Sequence, residues 1–138
     1  MTRCVADNET SRQAAGAILR RGGVVAYPTD TLYGLGAVVT DMHAVGRVFA
    51  IKGRPAGQGL PVLVAAVEQI REVAAEVPPL ALELARRFWP GGLTLVLRKH
   101  PSIPDLVTGG PTIAVRQPGH PAPLALITMC GSPITGTS

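Results

Sequence analysis

The apolar positions of this chain change period repeatedly, from helical to strand-like and back, and those changes predict its elements. From Thr10 or Ser11, which can cap a helix, Ala14, Ala15, Ile18 and Leu19 recur at helical spacing until Arg20-Arg21-Gly22-Gly23 supplies a basic last turn and a glycine stop. Residues 24–27 read as a short buried strand ending at Pro28. The hydroxyl-rich loop 28–31 then leads through Tyr33-Gly34-Leu35-Gly36 to a second strand at 37–39. Thr40 or Asp41 caps a second helix with Val45, Val48 and Phe49 on one face, and a basic segment, 52–58, follows it.

Residues 60–64 read as a further strand. Two helical stretches, 67–76 and 80–88, are separated by Pro78-Pro79, because proline cannot continue a helix. Trp89-Pro90-Gly91-Gly92 turns the chain into a strand at 93–98, and a polar, proline-bearing loop covers 100–111. A strand at 112–116, a short helix at 123–130 and a final strand at 133–135 complete the pattern. Interleaved strands and helices with no internal repeat predict a single α/β domain over residues 1–138 with a largely buried sheet.

Composition narrows the class. With 138 residues, 46% hydrophobic and 16% charged, the chain suits one core. The 13 Lys and Arg against 9 Asp and Glu give a net charge of +4, which favours anionic partners such as nucleotide phosphates or RNA. Cys4 and Cys130 lie far apart without metal-ligand spacing, which argues against a zinc site or a disulfide framework. The apolar run 60–67, interrupted by Pro61, is too short to span a bilayer, and the polar N-terminus lacks a signal-peptide pattern, so a soluble, cytoplasmic protein is expected.

Familiar catalytic signatures are absent: there is no GxxxxGK[ST] loop, GxSxG elbow or HExxH, and Gly34-x-Gly36 does not extend to GxGxxG. What remains is a set of hydroxyls and fixed cations at strand and helix ends, where open α/β sheets bind ligands. Thr29, Asp30 and Thr31 follow a strand that ends at proline, so they suit either a local side-chain turn or a cleft wall. Lys52 and Arg54 can complement a helix dipole, yet Pro55, Gly57 and Gly59 shape a loop beside them that lets both cations grip a polyphosphate. Arg116 ends a strand with Thr112 four residues earlier, hence on the same face, and Arg98-Lys99 forms a similar strand end with less support. His43, His100 and His120 share no metal-ligand spacing and suit surface or capping roles; no metal site is expected.

The run from Gly22 through Tyr27-Pro28-Thr29-Asp30-Thr31 to Gly36, followed by Ile51-Lys52-Gly53-Arg54-Pro55, resembles the signature of the YrdC family. Phe88-Trp89-Pro90-Gly91-Gly92-Leu93-Thr94-Leu95-Val96, Pro111-Thr112-Ile113-Ala114-Val115-Arg116 and Gly136-Thr137-Ser138 are similar to three later blocks of that family, so the resemblance spans nearly the whole chain. It implies a YrdC-like α/β domain, a twisted mixed sheet with helices and a basic concave cleft. It also implies an L-threonylcarbamoyladenylate synthase, a nucleotidyltransferase that makes threonylcarbamoyl-AMP and pyrophosphate from L-threonine, bicarbonate and ATP with Mg2+. The product would feed threonylcarbamoyl modification of a tRNA adenosine by a tRNA threonylcarbamoyl transferase complex, the implied partner.

Carried over by position, the resemblance implies catalytic roles for Lys52 and Arg54, which would hold ATP phosphates, with Gln58 and Thr112 as further nucleotide contacts. Thr31, Arg116 and Ser138 would hold threonine. Family members continue Thr-Ser as Ser-Ala-Asn and through further binding residues. The expectation is therefore that the cleft is cut at Ser138, in a fragment or in a naturally short relative that lost activity or completes its cleft with another chain, and that these 138 residues alone turn over weakly or not at all. Two other readings stay open: a non-catalytic module that binds double-stranded RNA by shape, and the carbamoyl-adenylate-forming domain of a hydrogenase-maturation protein.

Overall fold

In the computed structural model, residues 2–30, 32–55 and 57–137 are described. The element order is α1 (Glu9–Arg20), β1 (Val25–Tyr27), β2 (Gly34–Gly36), α2 (Met42–Lys52), β3 (Val62–Leu63), a 3-10 turn (Val67–Gln69), α3 (Ile70–Val73), α4 (Pro79–Phe88), β4 (Leu95–Arg98), α5 (Asp105–Thr108), β5 (Thr112–Arg116), α6 (Pro121–Cys130) and β6 (Ile134–Thr135). Four strands run in the order β4-β5-β3-β6, with β3 parallel to β5 and antiparallel to β6, and β4 antiparallel to β5. The antiparallel pair β1–β2 adjoins β6 through bridges at Leu35–Thr137 and Val38–Ile134. The mixed sheet expected from the family resemblance is present.

Strict alternation along β3, β4 and β5 separates two faces. Val62, Leu95, Ile113 and Val115 point into one buried cluster, which α2, α3, α4 and α5 complete with Val45, Val48, Ile70, Ala85 and Val107. Leu63 and Ile134 point the other way, into a second cluster with Tyr27 and with Leu19 of α1 and Leu126 and Ile127 of α6. These two helices meet closely: a Cβ on Gly16 would lie 2.7 Å from Met129 Cβ. Arg20, exposed in the last turn of α1, donates to the Met129 carbonyl near the end of α6.

Several boundaries differ from the sequence reading for identifiable reasons. Asn8 caps α1 by accepting from the Ser11 amide at 2.9 Å, in place of Thr10 or Ser11. The second strand is Gly34–Gly36, while Ala37 and Val38 go on to pair across to β6 before the turn at Val39, with Thr135 N donating to Ala37 O at 2.9 Å and Val39 N to Pro133 O at 3.2 Å. The expected helix at 67–76 breaks after Val73, because Ala74 and Ala75 are drawn to the edge of β4: Ala75 N donates to Arg98 O and His100 N to Val73 O. A helical turn, Asp105–Thr108, sits inside the stretch expected to be loop. His120 acts as the cap of α6, its Nδ1 accepting from Ala122 N at 3.0 Å.

Candidate functional site

The sheet face that holds the second cluster is covered only in part. α1 and α6 pack over the β1, β3 and β6 side, but neither buried cluster includes Val96, Arg98, Thr112 or Ala114. Val96 is 66% exposed, although it lies mid-strand and apolar. The register pairs Val96 with Ala114 and Arg98 with Thr112, so these four share one face with Arg116, which pairs with Leu63. The uncovered half of the sheet is thus a floor with an apolar middle and an arginine at each end.

Loops rise around the Arg116 end. Residues 28–30 leave β1 and bring Asp30 Oδ1 to 3.5 Å from Arg116 Nη2. The turn after α4 contributes the Gly91 carbonyl, which accepts from Arg116 Nη1 at 3.3 Å, while Gly91 N donates to Gln117 O at 2.9 Å. Arg116 is therefore aimed along the floor by one carboxylate and one carbonyl. Asp30 remains partly exposed, so the pair orients the guanidinium and contributes about 0–1 kcal/mol of stability. Thr29 Oγ1 donates to the Leu32 carbonyl, the local-turn contact that was one of the two readings open for this loop.

Tyr27 ties this corner to the rest of the sheet. Its ring crosses β2 over Gly34 and Gly36, where any Cβ would come within 2.8 Å and 2.7 Å of ring carbons. Its hydroxyl donates to Thr135 O on β6 at 2.8 Å. Thr135 in turn bridges the same strands, accepting from Ala37 N and donating to Leu35 O, each at 3.1 Å. Burial pushes the Tyr27 phenol well above its ordinary value, an effect the nearby Arg116 charge opposes.

The Lys-Gly-Arg-Pro segment follows α2. The helix ends at Lys52 because Gly53 adopts the left-handed region at φ 63°, and the chain reverses. Arg54 then folds onto its own loop, donating from Nη2 to Gly59 O at 2.8 Å and from Nε to Gln58 O at 3.3 Å. The Gln58 side chain faces solvent while its backbone serves that contact. The loop is seated by Leu60 N donating to Val107 O at 2.7 Å and by close glycine packing, since a Cβ at Gly59 would strike Thr108 O at 2.4 Å.

Of the residues nominated from sequence, Thr112 and Arg116 share a strand face, and Arg54 and Gln58 share a loop. Lys52 is exposed at the end of α2. Thr31 and Ser138 lie outside the described residues. Sequence reasoning missed the Gly91 carbonyl and the role of Tyr27; the glycines opposite Tyr27 were the available signal for the latter. Among the described residues no group of three or more His, Cys, Asp or Glu could hold a metal, and no helix is long and apolar enough to cross a membrane.

The fold and this floor define a mixed α/β domain in which half of one sheet face is left bare. The family model Sua5_yciO_yrdC, described as "Telomere recombination", matches residues 17–138, and the chain belongs to that family. A threonylcarbamoyl-AMP synthase of Pyrococcus abyssi is 50% identical over 128 residues, covering 92% of this chain and 37% of that protein. A Bacillus subtilis protein of the same name is 41% identical over 133 residues, covering 95% of this chain and 38% of its own length. The crystal structure of P. abyssi Sua5 complexed with L-threonine superposes with a TM-score of 0.91 at 45% identity, over 97% of this chain and 40% of that one. The chain thus spans about two fifths of the length of these relatives.

Proposed function

We propose that this chain is the substrate-binding domain of a threonylcarbamoyl-AMP synthase. The observation that carries the reading is the oriented Arg116 at one end of an exposed strand face, held by Asp30 and Gly91, in a chain 50% identical to a protein of that name. Arg116 would bind the threonine carboxylate, a charge-assisted contact in a partly dry corner. Lys52 and Arg54 would hold the phosphates of ATP, with Gln58 and Thr112 contributing polar contacts.

The threonine amine and bicarbonate condense to a carbamate with loss of water. A carbamate oxygen then forms a bond to the α-phosphorus, the α–β bridging bond breaks, and pyrophosphate leaves with that electron pair. No protein nucleophile takes part, so the side chains act by placing the two substrates in line and by offsetting charge on the phosphates. Asp30 is engaged by Arg116, which suits magnesium arriving on the nucleotide as MgATP rather than on a carboxylate cage. The product would pass to a tRNA threonylcarbamoyl transferase complex.

The RNA-binding and hydrogenase-maturation readings are not favoured, because relatives at 50% and 41% identity share the synthase name. The test is pyrophosphate release from ATP by the complete gene product, assayed with threonine and bicarbonate present or each left out. Lys52→Ala and Arg116→Ala should each lower kcat/KM at least tenfold, with Arg116→Ala acting mainly through the threonine KM. Release that ignores threonine, or survives both substitutions, would overturn the reading.

A further inference from the structure

Arg98 closes the floor at the end opposite Arg116, and the reaction outlined above gives it no task. It stands directly across from Thr112 in the β4–β5 register, so both side chains leave the same face of the sheet, and both are exposed. Its backbone is held on two sides, by β5 and by Ala75, whose amide donates to Arg98 O at 2.9 Å. The guanidinium therefore extends from a fixed root.

Its neighbours are already engaged. Lys99 contacts Asp105 at 3.1 Å and donates to Ile103 O at 3.0 Å, Arg116 is held by Asp30 and Gly91, and Arg54 by Gln58 and Gly59. Among the described residues the Arg98 guanidinium makes no hydrogen bond or ion pair. An exposed, positively charged fork on a rigid strand is suited to an anion with several oxygens.

Arg98 also lines an open depression of about 970 Å³, a size that fits a small-molecule ligand. The wall brings together Gly57, three residues beyond Arg54, and Gly110 and Pro111, which lead into Thr112. The depression therefore adjoins the loop that carries Arg54 and Gln58 and the residues leading into Thr112, without being lined by any of those three. Asp105 on the same wall is balanced by Lys99, whereas Glu76 contributes an opposing charge there. A ligand that brings Mg2+ or extends several phosphates tolerates one such carboxylate better than a lone phosphate does.

We propose that Arg98 binds the phosphate chain of the nucleotide in this depression, as an additional substrate contact beside Thr112. The inference rests on the ATP reading above, and calorimetry separates the two. Wild type, Arg98→Ala and Arg98→Lys are titrated with MgATP, inorganic tripolyphosphate and L-threonine. Arg98→Ala should weaken MgATP and tripolyphosphate about tenfold each, the scale of one partly exposed charge-assisted contact, and leave threonine unchanged. Arg98→Lys should recover part of the loss.

MgATP affinity within twofold of wild type in Arg98→Ala overturns the role of Arg98 and leaves the synthase reading standing. Equal weakening of threonine and MgATP also overturns it, since that marks a disturbed fold rather than a lost phosphate contact. A wild-type protein that binds threonine but no MgATP refutes the nucleotide role of this face. Binding of neither refutes the synthase reading and the Arg98 proposal together.

Discussion

Gly36→Ala tests how the corner beneath Arg116 is built. Gly36 does not adopt a positive φ, so alanine meets no backbone obstacle there and the effect is one of space. The new Cβ would lie 2.7 Å from Tyr27 Cε1, against about 3.5–4.0 Å for ordinary carbon contacts. Sideways relief is blocked, because Ile134 Cδ1 and Thr135 O already stand at 3.4 Å. The ring cannot withdraw either: Tyr27 is 2% exposed and its hydroxyl is fixed to Thr135 O at 2.8 Å.

Overpacking of this kind costs about 1–3 kcal/mol, and the reduced freedom of an unfolded alanine chain returns about 0.4–1 kcal/mol. A net loss of about 1–2 kcal/mol follows, which at roughly 0.3 kcal/mol per degree for a chain this size lowers Tm by about 3–7 °C. Gly46→Ala is the internal control, since its Cβ meets nothing within 4 Å and it lies inside α2. There the same change should add about 0.5–1 kcal/mol and raise Tm by about 2–3 °C. Calorimetric melting of both variants, with Tyr27→Leu and the Tyr27→Leu/Gly36→Ala pair, closes the cycle. Gly36→Ala melting at or above wild type, or a double variant whose losses simply add, would refute the packing of Tyr27 across β2.

Two further expectations concern the same framework. Tyr27 is buried neutral with its phenol raised above the unfolded value of about 10, so its contribution to stability is complete below about pH 10 and falls as pH rises beyond it. Wild type should thus lose stability between about pH 10 and 11 more steeply than Tyr27→Phe, which at neutral pH is weaker by about 0.5–1.5 kcal/mol for the missing hydrogen bond; parallel pH profiles in denaturant melts would contradict this. Gly109→Ala meets both a φ of 67° and a Cβ 2.3 Å from Gly57 O, so it should cost at least about 1 kcal/mol and loosen the loop after Arg54. Amide exchange at Leu60, whose N–H bonds to Val107 O, should quicken relative to β5, and an unchanged ratio would count against coupling between these loops.

What could be read in the sequence was whatever depends on spacing within one element. Period two placed Thr112 and Arg116 on one face, and Gly22-Gly23 after Arg20-Arg21 marked the end of α1. What could not be read depends on which distant backbone accepts a side chain. Nothing local distinguishes an Arg54 that grips a ligand from one that bonds Gly59 O, or shows that Arg116 reaches Gly91 O across 25 positions. Residues 67–76 failed for a related reason: their apolar spacing suits a helix, but the ladder bonds that Val73 and Ala75 find at the edge of β4 outweigh a last helical turn.

The position of the bare half-face follows from where the two helices on that side of the sheet are anchored. α6 leaves β5 through a turn capped by His120 and is drawn against α1 by the Gly16–Met129 approach and the Arg20 contact, so both lie over β3 and β6. The outward sides of β4 and β5 consequently stay largely uncovered. Four residues at about 3.3 Å each separate Thr112 from Arg116, so the floor places its two arginines at ends roughly 13 Å apart with Val96 and Ala114 between them. A ligand assembled there gains most if it carries negative charge at both extremities and a less polar middle. If the two substrates of the proposed reaction lie end to end, an amino acid carboxylate at Arg116 and a phosphate chain at Arg98 would meet that condition.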